Sequence, residues 1–115
     1  MKEFRELLIW QRSHALTLAI YIATKKFPKE ELFGLTSQLR RSCSSIPANI
    51  AEGCGRDADA ELKRFLGISL GLACEVDYHL LPASELGYLS RADGNALSAE
   101  VMELRRIAGC LYSEA

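Results

Sequence analysis

The chain has 115 residues, 49% of them hydrophobic, and its 14 Lys and Arg against 15 Asp and Glu leave a formal net charge of −1. That length supports one domain with a modest core, and the near-neutral balance excludes a protein that coats nucleic acid through bulk positive charge, a mode that needs many phosphate contacts. No stretch approaches the roughly 18 consecutive apolar residues that span a bilayer, and Met1-Lys-Glu-Phe-Arg-Glu mixes charges where a secretory signal would not, so a cytoplasmic protein without a membrane partner is expected.

Helical hydrophobic spacing runs along the chain with no strand-like alternation and no internal repeat, which predicts a single all-α domain over residues 1–115. The first helix is expected from Phe4 or Leu7 to Phe27. Trp10, His14, Thr17 and Tyr21 form one stripe and Leu16, Ile20, Ala23 and Phe27 an adjacent one, so this helix meets neighbours on more than one side. Pro28 closes it, because the residue before a proline is pushed out of helical geometry. The second helix is expected to begin between Lys29 and Phe33, where Glu30 and Glu31 suit the positive end of the macrodipole, and to end at Gly53 or Gly55. Leu32, Leu35, Leu39, Cys43, Ile46 and Ile50 recur at steps of three or four and mark its buried face. Pro47 interrupts it: proline has no donor for the Cys43 carbonyl and clashes with it, so a kink is predicted, with Ser42, Ser44 and Ser45 placed to satisfy the freed groups. Such a bend reads either as a tolerated irregularity or as a helix curved to follow a partner surface.

The third helix follows the joint Gly53-Cys-Gly-Arg-Asp-Ala-Asp, with Asp57 or Asp59 as its cap, and continues to about Leu86. Leu62, Phe65 or Leu66, Ser69, Leu72 or Ala73, Val76, Leu80 and Ala83 trace its buried face, and Pro82 is expected to kink its last turns. Gly87 stops it, and Ser90 or Asp93 caps the fourth helix. There Leu97, Val101, Leu104, Ala108 and Leu111 alternate steps of four and three, the near-heptad spacing of helices packed about 20° apart. Four helices with short joints most simply form an antiparallel up-down-up-down four-helix bundle.

No motif in the chain carries a reaction. It contains no glycine-rich phosphate loop, HExxH or nucleophile elbow, and no catalytic residue is assigned. Histidine as a residue type can act as a general base near neutrality, but on a stripe with Trp10 and Tyr21 His14 reads as a hydrogen-bonded core or interface residue. Glu75 and His79 sit at i, i+4 without a second ligand pair. A di-iron bundle needs Glu-x-x-His on two helices and inward glutamates on the others; here the spacing is wrong and the fourth helix has no histidine. Cys43, Cys54, Cys74 and Cys110 lack paired CxxC spacing and read as small, reduced core residues rather than as zinc ligands joined by His14 or His79. The expectation is a non-enzymatic protein with no cofactor and no metal.

The polar residues point to binding instead. Arg40, Arg41, Arg56, Lys63 and Arg64 are predicted to form a positive ridge around the joint between the second and third helices. Such a ridge suits RNA, because arginine forks onto phosphate and stacks on exposed bases. The competing reading pairs these cations with Glu52, Asp57, Asp59 and Glu61. Charge is also split along the chain: residues 1–66 carry 11 basic against 8 acidic side chains and residues 67–115 carry 3 against 7, hence +3 and −4. Through that asymmetry the first half of one copy can meet the second half of another. Apolar residues around most of the first and third helices exceed what one small bundle hides. The small residues Gly67, Ser69, Gly71, Ala73 and Cys74 offer a close helix approach, and Trp10, Tyr21, Tyr78, Tyr88 and Tyr112 add interface-type aromatic area, so a homo-oligomer is expected.

Taken in order over nearly the whole chain, Trp10-Gln-Arg-Ser-His14, Tyr21 followed by Phe27-Pro28, Phe33-Gly-Leu-Thr-Ser-Gln-Leu-Arg-Arg41, Ser45-Ile-Pro-Ala-Asn-Ile-Ala-Glu-Gly53, Arg56, Arg64-Phe-Leu66, Glu75 and Leu86-Gly-Tyr-Leu89 closely resemble the 23S rRNA intervening sequence proteins, also called four-helix-bundle proteins of the S23 type. The resemblance implies an antiparallel four-helix bundle that assembles as a ring-like homopentamer, with no established enzymatic activity. Members of that family were first noticed as reading frames inside insertions in bacterial 23S rRNA genes. The family is also similar to the accessory variability protein of diversity-generating retroelements, a basic pentamer that binds nucleic acid and a reverse transcriptase. By position, the matching polar residues are Arg40, Arg41, Asn49, Glu52, Arg56, Arg64 and Glu75; of these Asn49, Glu52 and Glu75, together with His14, are assigned structural or interface roles. Leu72, where similar proteins usually carry serine, Pro82 within the third helix and the slight acidity of the chain are departures. The functional expectation is a homopentameric accessory or scaffold that binds RNA or another nucleic acid through a local arginine patch and releases it as salt rises. The alternative is an assembly module whose partner is another polypeptide.

Overall fold

The protein, described over residues 2–114 by a computed structural model, folds around α1 (Leu8–Thr24), α2 (Leu35–Cys54), α3 (Asp59–Glu85) and α4 (Arg91–Glu114), with short 3₁₀ turns at Phe4–Glu6 and Lys29–Glu31. The helices pack in ring order, α1 and α3 each against α2 and α4, while the diagonal pairs do not meet. This is the antiparallel up-down-up-down bundle. The chain measures 43 × 23 × 20 Å, and its long axis is that of α3, which at about 1.5 Å per residue runs about 40 Å.

The core is a central strip built from Ile9, Leu16 and Ile20 of α1, Leu39, Cys43, Ile46 and Ile50 of α2, Leu66, Ala73, Val76 and Leu80 of α3, and Val101 and Leu104 of α4. On α2, α3 and α4 these follow the periodicity read from the sequence, because burying one apolar face is what fixes a helix's rotation. Leu32 departs from it. Helix α2 starts only at Leu35, since Gly34 takes a non-helical backbone (φ −114°, ψ −115°) and the Glu31 carboxylate accepts the Leu35 N–H at 3.2 Å. Leu32 is left outside the helix and half exposed. The other Glu31 oxygen accepts the Tyr88 hydroxyl at 3.0 Å, tying the start of α2 to the end of α3.

Helix α1 differs most from expectation. It is shorter at both ends than Phe4 or Leu7 to Phe27, and it buries Ile9, Ser13, Leu16, Thr17, Ile20 and Thr24, whereas His14 and Tyr21 face outward. Its buried hydroxyls are tolerated because each bonds back to its own helix: Ser13 donates to the Trp10 carbonyl at 3.0 Å, Thr17 to Ser13 at 2.9 Å and Thr24 to Ile20 at 2.8 Å.

Pro47 lies inside α2, and the Cys43 carbonyl it deprives of a donor is faced by Thr17 Oγ1 of α1 at 3.4 Å, a long contact shared with that hydroxyl's bond to Ser13. The serines expected to serve there turn to other carbonyls: Ser42 Oγ donates to Gln38 at 2.7 Å, and Ser45 Oγ and Ser44 Oγ approach Arg41 at 2.7 and 3.3 Å. A hydroxyl on a helix reaches back one turn on its own strand of carbonyls more easily than it reaches the one the proline has exposed. At the helix ends, neither Asp57 nor Asp59 caps α3. Ala58 holds the cap position, and Asp59 and Glu61 instead place negative charge in the first turn, where it complements the macrodipole. Ser90 does cap α4, its Oγ accepting the Asp93 N–H at 3.1 Å, and Gly87 adopts the left-handed conformation (φ 80°) that ends α3.

The small residues of α3 divide between two faces, Ser69 and Ala73 pointing inward while Gly67, beneath Tyr112, and the exposed Gly71 and Cys74 lie on the outer side, and one further expectation is corrected. Of the four cysteines only Cys43 and Cys54 are buried, because Ala73 on α3 and Ala108 on α4 take the inward positions near Cys74 and Cys110. Burial pushes the Cys43 thiol up to about 11, partly offset by the Thr17 hydroxyl beside it, and burial likewise raises Cys54. Since the folded value of Cys43 exceeds the ordinary one of 9.0, its contribution to stability is complete below that pH and is lost as the pH rises toward 11. At neutral pH an aromatic disulfide reagent is expected to label no more than two thiols per native chain, Cys74 and Cys110, and the remainder only after unfolding. Four thiols reacting at one native rate would contradict this packing.

Candidate nucleic-acid interface

The five candidate cations form two groups rather than one ridge. Arg40 and Arg41 belong to the first half of α2, whereas Arg56, Lys63 and Arg64 surround the α2–α3 joint. At ~1.5 Å per residue, positions 41 and 56 are about 22 Å apart along the bundle. Helical spacing shows which residues share a face, but the distance along the axis separates these two sets.

Arg40 is held in place. Its Nε donates to Thr24 Oγ1 at 2.8 Å, a terminal nitrogen reaches the Tyr21 carbonyl at 3.5 Å, and the guanidinium lies 4.8 Å from the Tyr21 ring centroid. Arg56 pairs with Glu52 at 3.0 Å and Arg64 with Glu61 at 2.8 Å, and both guanidinium groups approach the Phe65 ring, at 5.5 and 4.4 Å. The Arg64 hydrogen bond holds the Glu61 carboxyl below its usual range. Lys63 Nζ sits 4.8 Å from the centroid of Tyr112. Internal pairing therefore describes Arg56 and Arg64, while Asp57 and Asp59 make no ion pair among the described residues. Both pairs are exposed, and such pairs are worth about 0–1 kcal/mol, little obstacle to a stronger anion.

Arg41 stands apart. Alone of the five, its guanidinium has no hydrogen bond, ion pair or aromatic contact among the described residues. It borders an open hollow of about 370 Å³ between α2 and α3 that is also lined by Phe33, Gln38, Ser45, Leu72 and Glu75. Phe33, at 94% exposure, is a residue that spacing alone could not single out, because an aromatic between Leu32 and Leu35 reads as core. The other polar candidates serve the chain itself. Asn49 donates to the Ser45 carbonyl at 2.7 Å, Glu52 holds Arg56, and Glu75 lies 3.4 Å from His79 Nε2. His14, rather than hydrogen-bonding in the core, is exposed and stacks on Trp10 with ring centroids 4.8 Å apart and planes 11° from parallel. Among the described residues no three His, Cys, Asp or Glu side chains gather into a metal site, and no helix is long and apolar enough to cross a membrane.

Residues 5–109 match the family model of the 23S rRNA-intervening sequence protein. The chain belongs to that family. A solved structure from Bacteroides thetaiotaomicron, a protein of unknown function from the S23 ribosomal protein family, is similar to it with a TM-score of 0.82 at 22% identity, covering 91% of this chain and 98% of that one. At that identity the likeness speaks for the fold alone. No curated protein matches the chain significantly. In this 23S rRNA-intervening sequence protein the matched span takes in the whole of α1, α2 and α3, so both groups of cations and the Arg41 hollow fall inside it.

Proposed function

We propose that this family member is a non-enzymatic cytoplasmic homo-oligomer, a five-membered ring being the expected assembly, that acts as an RNA-binding accessory. The observation that carries the reading is α1. From Ser13 to Thr24 it has no Asp, Glu, Lys or Arg, and on its outer side Leu18 and Ile22 are 53% and 63% exposed. A helix apolar on all sides is ordinarily covered on all sides, and one bundle covers only one. A second, different apolar surface lies between α3 and α4, where Tyr78 and Leu81 line an open groove beside Asp77. Two unlike faces meeting between copies make a heterologous contact, the kind that closes into rings, and the +3 and −4 halves of the chain favour it. RNA is the favoured ligand because Arg41 has no side-chain partner among the described residues and because the family takes its name from 23S rRNA.

Light scattering is expected to give a mass several times the 12.8 kDa of one chain, while a variant carrying Leu18→Asp and Ile22→Asp runs as a helical monomer. A wild-type monomer would overturn the assembly. Single-stranded RNA is expected to bind at low salt and weaken as salt rises, with a logarithmic slope of about −0.7 for each phosphate contacted, and Arg41→Glu to remove most of that binding. If wild type and Arg41→Glu bind alike, the protein is left as an assembly module for a polypeptide partner.

A further inference from the structure

We infer that the hollow between α2 and α3 is a subsite for two neighbouring nucleotides of an unpaired RNA strand, one base stacked on Phe33 and the adjoining phosphate on Arg41. The inference rests on the RNA-binding reading and deepens it. Phe33 leaves almost its whole ring in water, at 94% exposure, yet its support is ordered: the preceding 3₁₀ turn is held by Glu31, whose two carboxylate oxygens take the Leu35 N–H and the Tyr88 hydroxyl. A solvent-facing aromatic ring on an anchored stretch of backbone is what single-stranded nucleic acids use as a stacking platform.

Arg41, on α2, borders the same hollow as Phe33, which precedes the helix across the non-helical Gly34, so a ring for a base and a cation for a phosphate open onto one space, and we place them on adjoining nucleotides of one strand. The rest of the hollow gives it a direction. Glu75 on α3 repels phosphate from the opposite wall and, with the Gln38 side chain, offers acceptors to the amino and imino edges of a base. Leu72 supplies an apolar patch between them. Ser45 has already given its proton to the Arg41 carbonyl at 2.7 Å, so its oxygen faces the hollow as an acceptor. An acidic peptide would use Arg41 equally well and would meet the same repulsion from Glu75, so it is the open Phe33 ring, a stacking face for a base, that favours a nucleotide.

A short single-stranded oligoribonucleotide containing 2-aminopurine tests the inference through two readouts, anisotropy for affinity and the base's own fluorescence for stacking. Wild type is expected to bind with quenching. Phe33→Ala is expected to lose about 10- to 100-fold in affinity, the usual worth of one stacked base, together with the quenching, and Phe33→Trp to restore both. Arg41→Ala is expected to weaken binding while reducing the salt slope by about one contact. If Phe33→Ala binds and quenches like wild type while Arg41→Ala weakens, the stacking subsite is overturned and RNA binding stands. If wild type binds no RNA at low salt, both fall. If Phe33→Ala lowers the mass seen by light scattering, the ring is a contact between copies and the subsite is overturned.

Discussion

Ile50→Ala is expected to cost about 2–5 kcal/mol, the range for truncating a fully buried aliphatic side chain when its surroundings close only partly. Ile50 is 0% exposed and lies in the α2 stripe of the core cluster. A domain of this size has about 5–15 kcal/mol in total, so the variant should melt on the order of 10 °C lower. Leu86→Ala removes as large a side chain, but Leu86 is 60% exposed beyond the end of α3, and its effect should stay within about 0.5 kcal/mol. Urea unfolding followed by circular dichroism at one protein concentration makes the comparison, since assembly would otherwise add a concentration-dependent term. Equal losses for the two variants would mean that Ile50 is not where the packing places it.

The second expectation is that one substitution has opposite signs at two glycines. A Cβ at Gly53 would stand 2.8 Å from the Phe65 Cβ and 3.2 Å from Leu62 Cδ1. Phe65 Cβ is fixed by the α3 backbone and cannot turn aside, so α2 and α3 must separate where their seam begins, at about 1–3 kcal/mol. Gly53→Ala also gains up to ~1 kcal/mol of helix propensity, which the steric term outweighs. At Gly71, in the middle of α3, a Cβ meets nothing within 4 Å, and the same change should stabilise the protein by up to ~1 kcal/mol. Denaturation midpoints of the two variants test this directly, and a stabilised Gly53→Ala would mean that the α2–α3 joint is looser than described. Loss of assembly in Gly71→Ala would place that strip of α3 against another copy.

Most of the bundle was legible because its rules are local. Leu35, Leu39, Cys43, Ile46 and Ile50 recur with the helical period and are all buried, and the same holds for Val76, Leu80 and Ala83 on α3 and for Leu97, Val101, Leu104 and Ala108 on α4. Gly87 and Ser90 act on groups within a few residues of themselves, which is why the end of α3 and the start of α4 could be read directly. Helix α1 could not be read this way. Apolar residues surround it, so no moment distinguishes the side that packs, and buried Ser13, Thr17 and Thr24 look polar until their bonds to preceding carbonyls are seen.

The candidate interface was legible only as a set of residue types. Five cations near one joint were visible as letters, but Arg40 is held by Thr24 and Tyr21 on another helix, and Arg56 and Arg64 are occupied by Glu52 and Glu61. The Arg56 and Arg64 pairs lie within four residues and could be read as a competing possibility, whereas the holding of Arg40 depends on groups that arrive from another helix.

Read along the chain, spacing and helix-end chemistry account for four helices, their order and the inward faces of three of them, since those properties depend on neighbours within one or two turns. Tertiary packing settled the rest: which side of α1 is covered, where α2 begins once Glu31 meets Tyr88, that Thr17 faces the carbonyl exposed by Pro47, and that Arg41 and Phe33 share a hollow. Each of these turns on contacts between residues far apart in sequence, and the free energy of such contacts exists only after the helices have come together.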